Sequence, residues 1–222
     1  MQHVSPELGP VDLKREQERT LKSARRAYGL LARLLFVTMD LFYTRKRSLR
    51  KFKVLEVVAR MPYQAWENVA YVALTHKYRA PEFARRIFEF VEEARHQQDN
   101  EQWHLLILEE LMQRRDIKQG FIRFRLLPQI MAFVFYHISW FLYVIRPSLS
   151  YHLNADFEDH AEHEYMAFVR DDPALEAESW QTSFEQDYGP HASLADLLRH
   201  IGLDERHHKE QSLERIARAR FA

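Results

Sequence analysis

The chain of 222 residues contains no cysteine. That excludes disulfides, thiolate metal sites, iron–sulfur clusters and a cysteine nucleophile, so any bound metal must sit on oxygen and nitrogen ligands. Glycine is scarce at 5 and proline at 8, and so few breakers argue for long helices against a sheet- or loop-rich fold. Neither sign of charge is in excess: 32 Lys and Arg stand against 32 Asp and Glu, which speaks against nucleic acid or another polyanion as partner. With 46% hydrophobic and 29% charged residues the chain is not disordered, and it is long enough to bury a sizeable core. Its polar beginning shows no signal peptide. What is plentiful is histidine, at 12, and phenylalanine, at 15.

Residues 1–20, with Pro6, Gly9 and Pro10, read as a flexible polar tail, and 21–222 as a single helical domain. Apolar residues at threes and fours predict helices over Leu21–Tyr43, Phe52–Tyr78 with a kink at Pro62, Pro81–Asp116, Leu126–Ile145 and Leu149–Arg170, and a last one over Ser193–Ala219 with Ser193 as N-cap. Asp171–Pro190 reads as an acidic loop with a short helix. Leu126–Ile145 holds no Asp, Glu, Lys or Arg and is flanked by Arg123, Arg125 and Arg146. At ~1.5 Å per residue it is ~30 Å long, enough to cross a bilayer.

Glu101 and His104 stand three apart, as do Glu205 and His208, and Glu93 and His96. Residues so spaced share a helix face, where a carboxylate and an imidazole can meet one metal ion. Two such pairs, with one Glu from each of two further helices, make the di-iron carboxylate site of a four-helix bundle. Spacing alone leaves a second reading open, solvated helix faces rich in Glu and His.

Four blocks add context: Val54-Leu55-Glu56-Val57-Val58-Ala59-Arg60-Met61-Pro62-Tyr63, Asn100-Glu101-Gln102-Trp103-His104-Leu105, Phe157-Glu158-Asp159-His160-Ala161-Glu162-His163-Glu164-Tyr165 and Asp204-Glu205-Arg206-His207-His208. In content, order and spacing they resemble the alternative oxidase family, membrane-bound di-iron quinol oxidases, and most of all its bacterial and plastid terminal oxidase branch. The resemblance implies an all-α, ferritin-like four-helix bundle with two additional apolar membrane-facing helices. It implies two Fe ions with a bridging oxide or hydroxide, held by Glu56, Glu101, His104, Glu158, Glu205 and His208. Glu67, Glu93 with His96, and Asp204 with His207 fall off its motif. Asn100 and Asp204 would hydrogen-bond the ligands, and Tyr165, close to two turns after Glu158, would give a hydrogen atom or electron during O–O cleavage. The departures are Val57 for Thr, Asp159 and His160 for Glu, and Lys51 for Arg; they bear on the quinone pocket, not the ligands.

The activity so implied is oxidation of quinol, ubiquinol ahead of plastoquinol, with reduction of O2 to water and no proton pumping. The quinol is expected between the first, second and fifth helices near Lys51, Leu55 and Glu162. A homodimer is implied, bound to membrane lipid as a monotopic protein on the cytoplasmic face of a bacterial inner membrane, with Leu126–Ile145 lying in one leaflet. A di-iron hydroxylase or desaturase acting on a quinone or lipid, and a non-enzymatic ferritin-like iron-binding protein, are the alternatives.

Overall fold

The computed structural model describes residues 9–77 and 79–217. Expectations for residues 1–8, Tyr78 and 218–222 lie outside the described residues. Among these the fold is all-α. Its helices are α1 (Pro10–Lys22), α2 (Leu30–Tyr43), α3 (Leu49–Ala59), α4 (Met61–Lys77), α5 (Pro81–Arg114), α6 (Leu127–Ile145, preceded by a π turn over Ile122–Leu126), α7 (Pro147–Asp171), α8 (Glu185–Tyr188) and α9 (Leu194–Ala217).

Helices α3, α5, α7 and α9 form a four-helix bundle of the ferritin type. The α7–α9 seam is the tightest part. A Cβ on Gly202 would lie 3.0 Å from Met166 Cε and 3.2 Å from Tyr165 Cβ, so this position lets the two helices approach closely. One core cluster joins Leu108, Leu111 and Met112 of α5 to Tyr165 and Val169 of α7 and to Leu194, Leu198 and Ile201 of α9. Helices α5 and α9 run antiparallel. Glu93 meets Arg215, Gln97 meets Gln211, Glu101 meets His208 and His104 meets Asp204, one pair per turn.

Two elements differ from the sequence expectation. The kinked helix predicted over Phe52–Tyr78 is two helices divided at Arg60, because Pro62 has no N–H to close an i→i−4 bond to Val58. The helix predicted over Leu21–Tyr43 is broken between Ser23 and Gly29. Here α7 supplies the backbone's partners: Asp159 accepts from Arg26 N (3.0 Å) and Asp156 from Gly29 N (2.8 Å), while Tyr28 Oη donates to Asp159 (3.0 Å). From Pro10 onward the expected flexible tail is instead helix α1. Leu13, Gln17 and Thr20 are buried on one face. Gln17 Nε2 donates to Met166 O at 2.8 Å, and Arg199 Nε donates to Gln17 Oε1 at 2.8 Å. That face docks mainly by hydrogen bonds, which an apolar periodicity does not register. The Ser193 cap is present, its Oγ accepting from Asp196 N at 3.1 Å.

Helices α2 and α6 flank the bundle. On α6 the buried residues Pro128, Met131, Ala132, Phe135, Ser139 and Tyr143 form one stripe against the protein. Ile130, Phe133, Val134 and Phe141 face outward, as do Leu30, Leu34, Val37 and Leu41 of α2. One helix among the described residues, Ile122–Ile145, is long and apolar enough to cross a membrane.

Candidate metal centre

Glu56 on α3, Glu101 and His104 on α5, Glu158 on α7, and Glu205 and His208 on α9 point inward at one level of the bundle, and none is more than 3% exposed. They form two overlapping groups whose ligand-type atoms lie within 4.8 Å of one another: Glu56, Glu101, His104 and Glu205, and Glu101, Glu158, Glu205 and His208. Glu101 and Glu205 belong to both. Glu101 Oε1 lies 2.7 Å from His208 Nδ1 and its Oε2 lies 3.6 Å from His104 Nδ1. Glu205 presents Oε1 to His104 Nδ1 (3.3 Å) and Oε2 to His208 Nδ1 (3.7 Å). Each therefore offers one oxygen to each group, the arrangement of a bridging carboxylate.

Most of these inward atoms have no hydrogen bond. Glu56 Oε2, both oxygens of Glu101 and Glu205, Glu158 Oε2, and Nδ1 of His104 and His208 are buried without one; the Glu101–His208 approach of 2.7 Å has the distance of a hydrogen bond but not its angles. Buried carboxylates without donors are costly unless cations neutralise them. The donor set is oxygen-rich with two imidazoles, which suits iron or manganese. On both grounds the residues fit a pair of such ions.

Electrostatics point the same way. Burial, then the charge of Glu205, drives Glu56 well above the usual carboxylate range. Burial, with the charges of Glu101 and Glu205, does the same to Glu158. Burial would also raise Glu101, but the imidazoles of His104 and His208 outweigh it and bring it down to about 2. Burial would lower His208, and Glu101 and Glu205 instead raise it to about 9. The pocket thus disfavours charge on Glu56 and Glu158 and draws positive charge to its centre.

The second layer fixes the imidazole. His104 Nε2 lies 3.1 Å from Asp204 Oδ2, which also accepts from Asn100 Nδ2 (3.1 Å) and Tyr188 Oη (2.7 Å). A proton on Nε2 leaves the Nδ1 lone pair facing the centre. Tyr165 Oη donates to Glu56 and Tyr63 Oη donates to Glu158 (2.5 Å). Tyr63 and Tyr188 are additions to the sequence reading. For Tyr63 the signal was present: it follows Glu56 by seven residues, as Tyr165 follows Glu158. Tyr188 arrives from the acidic loop, and no spacing announces it.

Glu67 is paired with Arg95 and Gln98, and Glu93 with Arg215, both outside the centre. Asp159, Glu162 and His163 form a third buried group, yet Lys209 reaches Asp159 (3.1 Å) and Glu162 (2.5 Å) and Arg206 reaches Glu162 (2.8 Å), so its charge is already met. The structure does not bring the three expected quinol residues together. Lys51 Nζ pairs with Asp40 of α2 (2.5 Å), and Leu55 packs with Met39 of α2 and with Phe157. Glu162 turns instead toward α1 and α9, where Thr20 donates to it at 2.5 Å. Leu55 on α3 and Glu162 on α7 thus face different neighbours, Glu162 lying on the side of α7 that packs against α1 and α9. An apolar groove of about 230 Å³ runs between α2 and α6, lined by Leu31, Leu34, Ile130, Met131, Phe135 and Leu153 among others.

Comparison with known proteins agrees with this geometry. The family described as Alternative oxidase matches residues 7–215. The chain is similar to "Ubiquinol oxidase 4, chloroplastic/chromoplastic" of Arabidopsis thaliana, 33% identical over 132 residues, which cover 60% of this chain and 34% of that protein. It is similar to "Ubiquinol oxidase 2, mitochondrial" of Arabidopsis thaliana, 25% identical over 210 residues, or 90% of this chain and 54% of the relative. "Ubiquinol oxidase, mitochondrial" of Mangifera indica is also 25% identical over 210 residues, 90% of this chain and 60% of the relative. The chain thus spans between about a third and three fifths of the length of the curated relatives it matches.

Proposed function

Because this chain belongs to the alternative oxidase family, we propose that it is a membrane-bound quinol:oxygen oxidoreductase with a dinuclear iron centre, oxidising quinol and reducing O2 to water without pumping protons. The observation that carries this is the pair of overlapping carboxylate–histidine groups sharing Glu101 and Glu205. We assign Glu56, Glu101, His104, Glu158, Glu205 and His208 as ligands, with oxide or hydroxide as the further bridge. Bound iron supplies the one-electron steps that couple a two-electron quinol to a four-electron oxidant.

The protein's own groups do the rest. Asp204, with Asn100 and Tyr188, holds His104 in one tautomer and orientation. Tyr165, its hydroxyl on Glu56, is placed to give up a hydrogen atom beside the centre and to regain it from quinol. Tyr63 orients Glu158 and is itself held by Asn154 Nδ2 at 2.9 Å.

The exposed apolar faces of α2 and α6 serve as the membrane face. The buried stripe of α6 supports an orientation within one leaflet. Trp140 donates to Asn68 of α4, and Ser139 O accepts from Ser150 of α7, so spanning would carry polar bundle helices into hydrocarbon. The groove between α2 and α6 suits an isoprenoid tail; Leu55 and Lys51 do not line it but meet Met39 and Asp40 of α2, which supports them as contacts of the quinol head. Glu162 is not part of this pocket. Ubiquinol is the preferred quinol, the chain from α1 onward acts as one domain, and a homodimer on the cytoplasmic face of a bacterial inner membrane is the setting. The test is oxygen uptake by the iron-loaded protein in vesicles with ubiquinol and cyanide. Uptake with water as product supports the assignment; oxygen incorporated into the quinone or lipid would instead show a hydroxylase, and no uptake would reject it.

A further inference from the structure

A buried centre with no cysteine and no exposed ligand must still be filled by a hydrated cation, and stripping such an ion of water in an apolar passage is costly. The groove between α2 and α6 is lined by aliphatic and aromatic side chains, with Thr38 as its one polar residue. Its hydroxyl is occupied by Leu34 O at 2.8 Å. The Asp159–Glu162–His163 group is capped by Lys209 and Arg206, cations that repel another.

A second cavity, of about 130 Å³, lies between α5 and α9, and every residue lining it is polar. Liquid water occupies ~30 Å³ per molecule, so the space holds about four, enough for an ion with part of its hydration shell. His96 at the cavity is exposed, whereas His208, which also lines it, is 3% exposed and belongs to the centre. Between them lie Gln97 and Gln211, hydrogen-bonded to each other across the helices one turn from the Glu101–His208 contact. Asn100 and His207 belong to the same lining, and Asn100 Oδ1 and His207 Nε2 are buried without a protein hydrogen bond. Glu93 at its rim is paired with Arg215, and the other lining residues include no Lys or Arg.

We propose that this α5–α9 cleft admits hydrated ferrous ion to the metal centre, with the Gln97–Gln211 pair as a latch and Asn100 and His207 as transient ligands that hand the ion to His208. The inference rests on the dinuclear-iron reading above.

The full chain in detergent, stripped of metal by a chelator, is mixed anaerobically with a ferrous salt, and bound iron is followed over time. Gln211→Phe fills the mouth, His207→Leu removes a ligand without adding bulk, and Leu34→Phe narrows the apolar groove as a control; circular dichroism verifies folding. Wild type and Leu34→Phe load alike. Gln211→Phe and His207→Leu reach the same final iron content roughly tenfold more slowly, the effect of losing an interaction of about 1.4 kcal/mol from the path. The inference is overturned if both cleft variants load at the wild-type rate, if Leu34→Phe is the slow one, or if the cleft variants lose final content at unchanged initial rate. A wild type that takes up no iron overturns the metal reading itself, an outcome separate from the others.

Discussion

Glu158 and Tyr165 on α7 repeat the spacing of Glu56 and Tyr63 across α3 and α4, and each tyrosine donates to the other segment's carboxylate. The two play different parts in the proposal, so they separate experimentally. Tyr165→Phe keeps its iron and its fold but loses quinol oxidation by roughly two orders of magnitude, about 3 kcal/mol on the barrier; steady-state oxygen uptake with iron analysis checks this. The Glu101–His104 and Glu205–His208 pairs stood out because a helix fixes which neighbours share a face, Glu56 and Glu158 were picked out by the family resemblance, and the structure brings all six side chains together. Tyr188 was not, since a loop sets its place. His160 shows how burial changes a residue that spacing leaves as surplus. It stacks on Phe36 with ring centroids 4.0 Å apart, and burial pushes its imidazole down to about 4. The folded state thus resists a proton that the unfolded chain binds near pH 6.5. Stability supplied by neutral His160 is whole above that value and is lost as pH falls toward 4, up to roughly 3 kcal/mol. His160→Phe should flatten this part of the acid limb in urea-unfolding curves measured from pH 7 to pH 5; an unchanged slope would count against it.

At the level of elements, periodicity located α5, α6, α7 and α9 to within a few residues, because each buries an apolar or ligand-bearing stripe of helical period. It missed α1, whose docking is mainly polar, and the break before α2, which two aspartates on another helix dictate. The α7–α9 seam carries a prediction. Gly202→Ala places a methyl 3.0 Å from a mobile Met166 end but 3.2 Å from the fixed Cβ of Tyr165. The methionine can yield and the tyrosine backbone cannot, so the variant should be destabilised by ~1–3 kcal/mol. Thermal unfolding measures this, and Met166→Ala in the same chain should restore only part of the loss.

Over the whole molecule the polar centre and the apolar face are joined by α3 and α7, which carry Glu56 and Glu158 inward while packing α2 and α6 on their outer sides. The apolar run was legible in the uncharged Leu126–Ile145 segment; which of its sides packs on the protein is shown only by the buried stripe. Phe133 and Phe141 are 65% and 59% exposed. Burying each in lipid contributes ~1.5–3 kcal/mol, so replacing both by Lys should weaken vesicle binding at least a hundredfold while leaving helicity intact. Flotation with liposomes reads this directly. The claim on which all else depends is that six buried side chains on four helices hold paired iron. Iron analysis of the purified chain tests it most directly, comparing wild type with Glu158→Ala and with Glu67→Ala, the latter outside the centre. The account predicts a dinuclear complement in wild type and Glu67→Ala and its loss in Glu158→Ala. Iron retained in full by Glu158→Ala, or absent from all three after reconstitution, would contradict it.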